Sequence, residues 1–438
     1  MNITSSYQVQ IIGTSNLFRP TIKIYREALS YLINIYHKEW EALSAIKSAK
    51  GRFNEAEHLV HTTKTNKAKY DFDARFYKMP SYLRRSAIQT ALGCISSYRS
   101  NLKNWEADGK VGKKPELQTE LFAMPTFYKT DMYKPGEEAG SAYLKLFVRN
   151  DWVWVKVRLL KTDVQYLQKY WSHCAPSAPT LEKRYGKYYL RFAFTENIKL
   201  TDAPVSEQRI CAVDLGLNSD AVCSIMASNG TVLARRFIDF PSEKDHLGHV
   251  LNRIKRLQRE HRSQNTHSFW AYARRLNDEL AKKVSSAIVE FAAQHNADYI
   301  VFEYLDFRGK KVKGSKAQKL RMWRKNGLQD YAEHKAHRCG IRVSRVCAWR
   351  TSRLAFDGSG ELMRDAGNRA LAVFRSGKQY NADLNASYNI GARYFIREIT
   401  KPLSVKAGSV LSAKVPEVRR RTSCTLDTLL RVNAALAA

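Results

Sequence analysis

Apolar residues recur along this chain with two different periods, and the switches between them divide it into regions. Residues 7–13, YQVQIIG, read as a first strand. From 20 to 46 the spacing turns helical, with Tyr25, Leu29, Leu32, Ile33 and Tyr36 on one face. A second long helix is predicted from Pro80, a residue that suits an early helical position, and it carries Ile88, Leu92, Ile95 and Leu102 at four-, three- and seven-residue steps. Between 142 and 195 the segments AYLKLFVRN, DWVWVKVRLL and KYYLRFAF are strand-like, with turns at Asn150-Asp151 and Gly186. They predict a small antiparallel β-barrel or sheet, into which the first strand can also pair.

Beyond Pro204 the pattern changes again. Strands are predicted at 210–215 and 221–227, then a turn at Asn229-Gly230 and a third strand at 231–239. A basic helical stretch over 247–283 is followed by a helix (VSSAIVEFAAQH), a strand (YIVFEYL), a basic segment, a helix (GLQDYAEHKAHRC), a strand (IRVSRV) and a helix from about 383 (DLNASYNIGARYFIREI). Three antiparallel strands followed by alternating helices and strands is the order of a ribonuclease-H-like fold, so the class expected is multidomain α+β. No internal repeat is present, and the stretch from Lys401, with Arg419, Arg420 and Arg421 and a short apolar helix, receives no role.

Composition adds a partner. The chain has 438 residues with 73 Lys and Arg against 41 Asp and Glu, a formal net charge of +32 that is spread along its length. With 44% hydrophobic residues it has material for packed cores, so it reads as a folded protein holding a polyanion against several domains, not as a basic tail. No run approaches the roughly 18 apolar residues of a membrane span, and the start, MNITSSYQVQIIGT, lacks a secretory pattern. The expectation is a cytoplasmic protein of a prokaryotic cell with no membrane partner. Seven widely spaced cysteines without a CxxC pair predict neither a disulfide framework nor a zinc site.

Three acidic residues give the charge a chemistry. Asp214 ends an apolar strand before Leu215-Gly216, Glu303 ends another, and Asp383 opens a helix that must pack on the same sheet. Taken singly, each is an ordinary turn, strand end or helix cap. Together, in this order, they form a carboxylate cluster that repels itself unless divalent cations neutralise it, and hard oxygen ligands favour Mg²⁺ or Mn²⁺. Two such ions about 3.5–4 Å apart suit phosphodiester hydrolysis. AVDLGLNS also resembles the phosphate loop of the actin and hexokinase ATPases, but no second Gly-rich loop follows Glu303.

The segments AVDLGLNS, IVFEYL and NADLNASYNI resemble the three RuvC motifs of transposon-encoded TnpB nucleases and of the miniature type V CRISPR effectors (Cas12 family, Cas12f-like). The stretch LRMWRKNGLQDYAEHKAHRCGIRV and the pair Thr351-Ser352 also match, so the resemblance is strong over about 205–399 and weaker before it. It implies an RNA-guided DNA endonuclease that reads a short adjacent duplex motif, with guide RNA and double-stranded target DNA as partners. Asp214, Glu303 and Asp383 are then the catalytic and Mg²⁺-holding acids, two ions in all, with Asp220, Asp306 and Asn385 in supporting or capping positions. A DNA binder that represses with a guide RNA but does not cut, and a guide-free RuvC-like nuclease, stay open. So do CRISPR effector against transposon origin, and monomer against homodimer.

The domains this implies are a wedge strand at 1–19, a helical recognition domain at 20–115 and a wedge β-barrel at 116–205. RuvC-like nuclease follows at 206–346, with a basic helical insertion at 241–283. A degenerate zinc-ribbon-like insertion spans 347–380, the third-motif helix 381–399 and a tail 400–438. Family ribbons carry two CxxC pairs; the matching positions are Ala355, Gly358, Val373 and Ser376, and Cys339 and Cys347 lie upstream at another spacing. No zinc is expected there. The segment is left to hold itself by Leu354, Phe356, Leu362, Leu371, Val373 and Phe374. Nucleic-acid contacts are expected from Arg84 and Arg85 and from Lys255, Arg256, Arg259 and Arg262. Lys310 and Lys311 join them from the stretch 308–325, where nine of eighteen residues are Lys or Arg and none is acidic.

Overall fold

The computed structural model describes the chain except residues 14–15, 121, 139, 217–218, 263–265, 306–324, 366, 369 and 407–421, and gives 325–326 and 402–406 by backbone alone. It divides into two compact units, Asn2–Glu196 and the remainder, residues 197–438 with Met1.

The first unit is a sheet with helices packed on one face. It runs β1 (Asn2–Ile12), α1 (Arg19–Lys38), α2 (Trp40–Ala45), α3 (Ala49–Val60), α4 (Phe72–Arg75), α5 (Ser81–Ala107), β2 (Tyr133–Pro135), β3 (Ser141–Val148), β4 (Asp151–Leu159), α6 (Lys161–Trp171), β5 (Thr180–Arg184) and β6 (Lys187–Asn197). The helical face read from the sequence is the buried one: Tyr25, Leu29, Leu32, Ile33 and Tyr36 of α1 meet Leu83, Ile88 and Ile95 of α5 and Leu144 and Leu146 of β3. Pro20 starts α1 and the Thr21 hydroxyl accepts the Phe147 amide at 2.9 Å, which fixes the helix to the sheet. The predicted helix over 20–46 is interrupted at Glu39, whose carboxylate accepts Lys69 Nζ and the Tyr70 hydroxyl, each at 2.6 Å.

Of the β-barrel or sheet expected here, the described residues form an open sheet and no closed barrel. Six strands lie in the order β2-β3-β4-β1-β6-β5, with β2 and β5 as the two edges. Two local features stop closure. β2 is three residues long and ends in Pro135, which has no N–H to extend a ladder. The strand-like stretch before it meets β5 only at the isolated bridge Thr126–Thr180, and the chain then turns at Thr130, whose φ is 68°.

In the second unit the elements are β7 (Arg209–Leu215), β8 (Ala221–Ala227), β9 (Val232–Ile238), α7 (Pro241–Arg259), α8 (His267–Gln294), β10 (Tyr299–Tyr304), α9 (Lys325–Arg338), β11 (Arg342–Cys347), β12 (Met363–Arg364), β13 (Leu371–Val373), β14 (Gln379–Asn381), α10 (Ala382–Lys406) and α11 (Leu426–Ala437). Its main sheet has the order β11-β10-β7-β8-β9; β7, β8 and β9 pair antiparallel, while β10 is parallel to both β7 and β11. Both faces are covered, which is why the strands are apolar runs. Cys211, Val213, Ile300 and Phe302 face α8 and α9; Ile210, Ala212 and Val301 face α10 and α11.

The basic stretch read as one helical insertion is a hairpin. α7 and the first half of α8 enclose Leu251, Ile254 and Ala273, and the second half of the same 28-residue helix buries Val284, Ile288 and Ala292 on the sheet.

The zinc-ribbon-like expectation also needs correction. β12, β13 and β14 form a three-stranded antiparallel sheet, and the described residues contain no zinc-ribbon motif. Where thiolates are missing, an aromatic cluster holds the segment: the Phe356 ring lies 5.2–5.3 Å from those of Phe374, Tyr380 and Tyr388, over buried Ala355, Ala372 and Ala382. Leu354 and Phe374 are buried as expected, and Leu362 packs at the edge.

α10 carries the hydrogen bonds that seat this insertion. Asn385 donates to the Leu354 carbonyl and accepts the Phe356 amide, both at 2.8 Å. Asn389 donates to the carbonyls of Thr351 (3.0 Å) and Leu354 (2.8 Å) and accepts the Leu426 amide of α11 at 3.3 Å. Both side chains are fully buried. Asn389→Leu strands these backbone groups, and a loss of about 2 kcal/mol in urea unfolding is expected.

Candidate functional site

Two neighbouring strands and one helix bring the three acidic residues to one place. β7 and β10 pair in parallel, Val213 opposite Phe302, so one step further along Asp214 stands beside Glu303. Side chains alternate along a strand. Asp214 therefore shares the face of Ala212, and Glu303 that of Val301, which is the face α10 covers. Asp383 lies in the first turn of α10. The three meet at the carboxyl ends of β7 and β10.

Their electrostatics carry the mark of that meeting. Asp214 is pushed well above the ordinary carboxylate range, first by burial and then by the negative charges of Glu303 and Asp383. Burial also raises Glu303 and Asp383. Opposing cations are close: Arg364 of β12 favours the ionised forms of Asp214 and Asp383, and Arg393 of α10 that of Glu303. The Thr351 hydroxyl donates to Glu303 Oε1, and the Glu303 carbonyl accepts Gln329 Nε2 at 3.0 Å. Arg393 is almost fully buried and donates to the carbonyls of Cys347 (2.7 Å), Trp349 (2.9 Å) and Cys424 (3.1 Å). Three carboxylates of this kind, Glu303 buried and the other two partly so, are hard oxygen donors that could together hold a divalent cation.

Thr351, Arg364 and Arg393 escaped the sequence reading. Thr351 was matched only as the lead-in to the insertion, and 48 residues separate it from Glu303. Nothing local marks any of the three as a neighbour of an acid. Asp220 accepts the Phe240 amide at 2.9 Å just ahead of α7 and faces Lys244, which fits a capping position. Asn385 serves the insertion as described, and Asp306 lies outside the described residues.

The expected nucleic-acid contacts divide. Lys255, Arg256 and Arg259 are exposed on α7 and Arg262 just beyond it, with Arg256 and Arg262 each 3.9 Å from Glu260. Lys310, Lys311 and residues 419–421 lie outside the described residues. Arg85 is 42% exposed, stacks over Phe53 at 5.2 Å, and lines a 660 Å³ cleft with Lys50, Tyr82 and Tyr128. Arg84 points inward instead: it is 8% exposed, 3.4 Å from Glu57 and 3.8 Å from Asp73, so contact with a duplex requires breaking these pairs. Arg84→Met should therefore destabilise this unit by about 1 kcal/mol, because it removes a buried cation from Glu57 and Asp73, which keep only Arg85 at 3.6 Å and His61 at 2.9 Å respectively. Equilibrium unfolding measures this, and unchanged stability with weakened DNA binding would return Arg84 to the surface.

Comparison with known proteins agrees with this architecture at the level of fold. Residues 3–148 match the Aq_aa04 family. One 50-residue stretch is 48% identical to the uncharacterized protein aq_aa04 of Aquifex aeolicus (strain VF5), covering 11% of this chain and only 29% of that protein. A Cas12f1 solved in complex with sgRNA and target DNA superposes with a TM-score of 0.53 at 15% identity, over 86% of this chain and 81% of that one. The mini-RNA-guided endonuclease CRISPR-Cas_phi3 gives 0.57 at 12% identity, over 90% and 92%. No described helix is long and apolar enough to cross a membrane. At such identities the likeness is one of fold alone, and it is the fold of these two effector structures that the chain shares.

Proposed function

We propose that this chain is an RNA-guided, Mg²⁺-dependent DNA endonuclease whose single RuvC-like site is built from Asp214, Glu303 and Asp383. The observation that carries the reading is the convergence of two adjacent parallel strand ends and one helix start on three carboxylates whose mutual repulsion calls for a divalent partner. Bound there, two Mg²⁺ ions supply an activated water and a sink for charge on the leaving oxygen of a phosphodiester.

The chain's own residues do the rest. Asp214 and Asp383 offer oxygens from the sheet end and the helix start, and Glu303 is oriented by the Thr351 hydroxyl. Arg364 sits where a phosphate adjoining the acids would need a cation, and its guanidinium geometry suits phosphate oxygens. The net charge of +32 and the exposed Lys255, Arg256 and Arg259 on α7 favour a nucleic-acid backbone as the substrate and guide.

The test begins with the nucleic acid that co-purifies with the full-length protein. Its sequence supplies a guide, and the complex should then cut a duplex matched to that guide and leave a mismatched duplex intact in Mg²⁺. Cutting by RNA-stripped protein would favour the guide-free nuclease. Stable matched binding without strand breaks would favour the repressor.

A further inference from the structure

Among the described residues, one group of metal-type ligands has all its candidate atoms within 4.8 Å of one another, and it is not the acidic site: His173, Cys174 and Glu196, all in the first unit. We propose that these three residues bind a transition-metal ion of the Zn²⁺ class. The ion would staple the turn after α6 to the end of β6.

Ligand chemistry selects the ion. An imidazole and a thiol beside a single carboxylate form a borderline-soft set that suits Zn²⁺ and Co²⁺ and disfavours Mg²⁺. Geometry is close to what such an ion needs. Bonds of 2.0–2.3 Å in a tetrahedral arrangement set neighbouring ligand atoms roughly 3.5 Å apart. His173 Nε2 and Glu196 Oε1 already stand at 3.1 Å, so the cluster closes with movements of about an ångström.

The backbone explains how two consecutive residues can serve together. In a strand His173 and Cys174 would point to opposite faces. Here the chain leaves α6 through a turn, with the Cys174 amide donating to the Trp171 carbonyl at 3.1 Å, and both side chains reach Glu196. The surroundings fix the ligands beforehand. The Trp171 ring stacks on the His173 imidazole at 5.8 Å and 19°. The Ser177 amide donates to the Ala193 carbonyl at 2.8 Å and the Ser177 hydroxyl accepts the Ala193 amide at 3.1 Å, which ties the turn to β6. Cys174 packs against the core, and the Glu196 side chain is 12% exposed. Three protein ligands leave one coordination position for water. The sequence expectation of no zinc rested on the lack of any CxxC pair along the chain, and a site at these residues departs from it, because the third ligand lies 22 residues from Cys174, where no short motif marks it.

The experiment is a titration of the full-length, chelator-treated protein with Co²⁺ alone, read by absorption. One equivalent should produce the near-ultraviolet sulfur-to-cobalt charge-transfer band, and Zn²⁺ should erase it by displacement. Cys174→Ser should abolish the band, and His173→Ala should weaken binding about tenfold or more. Cys339→Ser and Asp214→Asn should leave both unchanged, which separates this site from another cysteine and from the acidic cluster. A wild-type titration with no thiolate band at one equivalent, or a band that survives Cys174→Ser, would overturn the proposal.

Discussion

Asp214→Asn should slow cutting of a guide-matched duplex by about a thousandfold, because a metal-holding carboxylate is worth several kcal/mol and each 1.36 kcal/mol is a factor of ten. Binding of the duplex, followed by gel shift, should change little, since the contacts that hold the backbone lie elsewhere. The same substitution should raise the unfolding midpoint of the metal-free protein near pH 7. The sign follows from the direction of the shift. A carboxyl whose folded value is raised favours the folded state at low pH, and that contribution is lost as pH rises through the folded value. Above the ordinary carboxylate range the folded protein must either hold a proton on Asp214 or ionise it beside Glu303 and Asp383, and a neutral amide removes that cost. Cutting at the wild-type rate by the variant would reject the site assignment. Lost cutting with lost stability would mean that Asp214 is structural.

Arg364→Ala should cost about a hundredfold in cutting, the scale seen when one group aimed at developing charge is removed. Arg364→Lys should restore only part of the rate, since an ammonium supplies the charge without the planar fork. A second readout separates an electrostatic role from a merely structural one. Arg364 favours the ionised forms of Asp214 and Asp383, so its loss lets both rise further. The acid limb of the pH–rate profile should then move to higher pH in the alanine variant and less so in the lysine variant. A unchanged profile with lowered rate would confine Arg364 to holding the insertion, where it donates to the Ser352 carbonyl at 3.3 Å.

Much of the acidic cluster was legible because strand chemistry is local. Apolar runs mark β7 and β10, period-two alternation assigns Asp214 and Glu303 to one face, and the helical pattern after Asp383 supplies the cover. What the sequence hid depends on distant partners. Arg84 looks like any basic residue of a nucleic-acid-binding helix until Glu57 and Asp73 are seen beside it. α6 went unread because its short KTDVQYLQKYW segment lies between strands; Val164, Leu167 and Trp171 do recur at helical steps and pack on the core, a signal spread over only two turns. The basic hairpin was read as one stretch because α7 and α8 are both helical and both charged; only their shared Leu251, Ile254 and Ala273 show that they fold back on each other. Barrel closure turned on Pro135 at the end of a three-residue edge strand, a feature of register that periodicity does not encode.

The placement of α10 sets a clock on the protein's birth. The strand bearing Asp214 ends at 215 and the helix bearing Asp383 starts at 382, roughly 170 residues later. At about 5–20 residues per second, a ribosome needs on the order of ten to thirty seconds to deliver the second after the first. Throughout that interval Ile210 and Ala212, joined halfway by Val301, have no α10 to cover them, and the acidic cluster lacks Asp383. A nascent chain thus carries an incomplete acidic cluster until α10 emerges, and its half-covered sheet is the kind of apolar surface that chaperones hold until translation catches up.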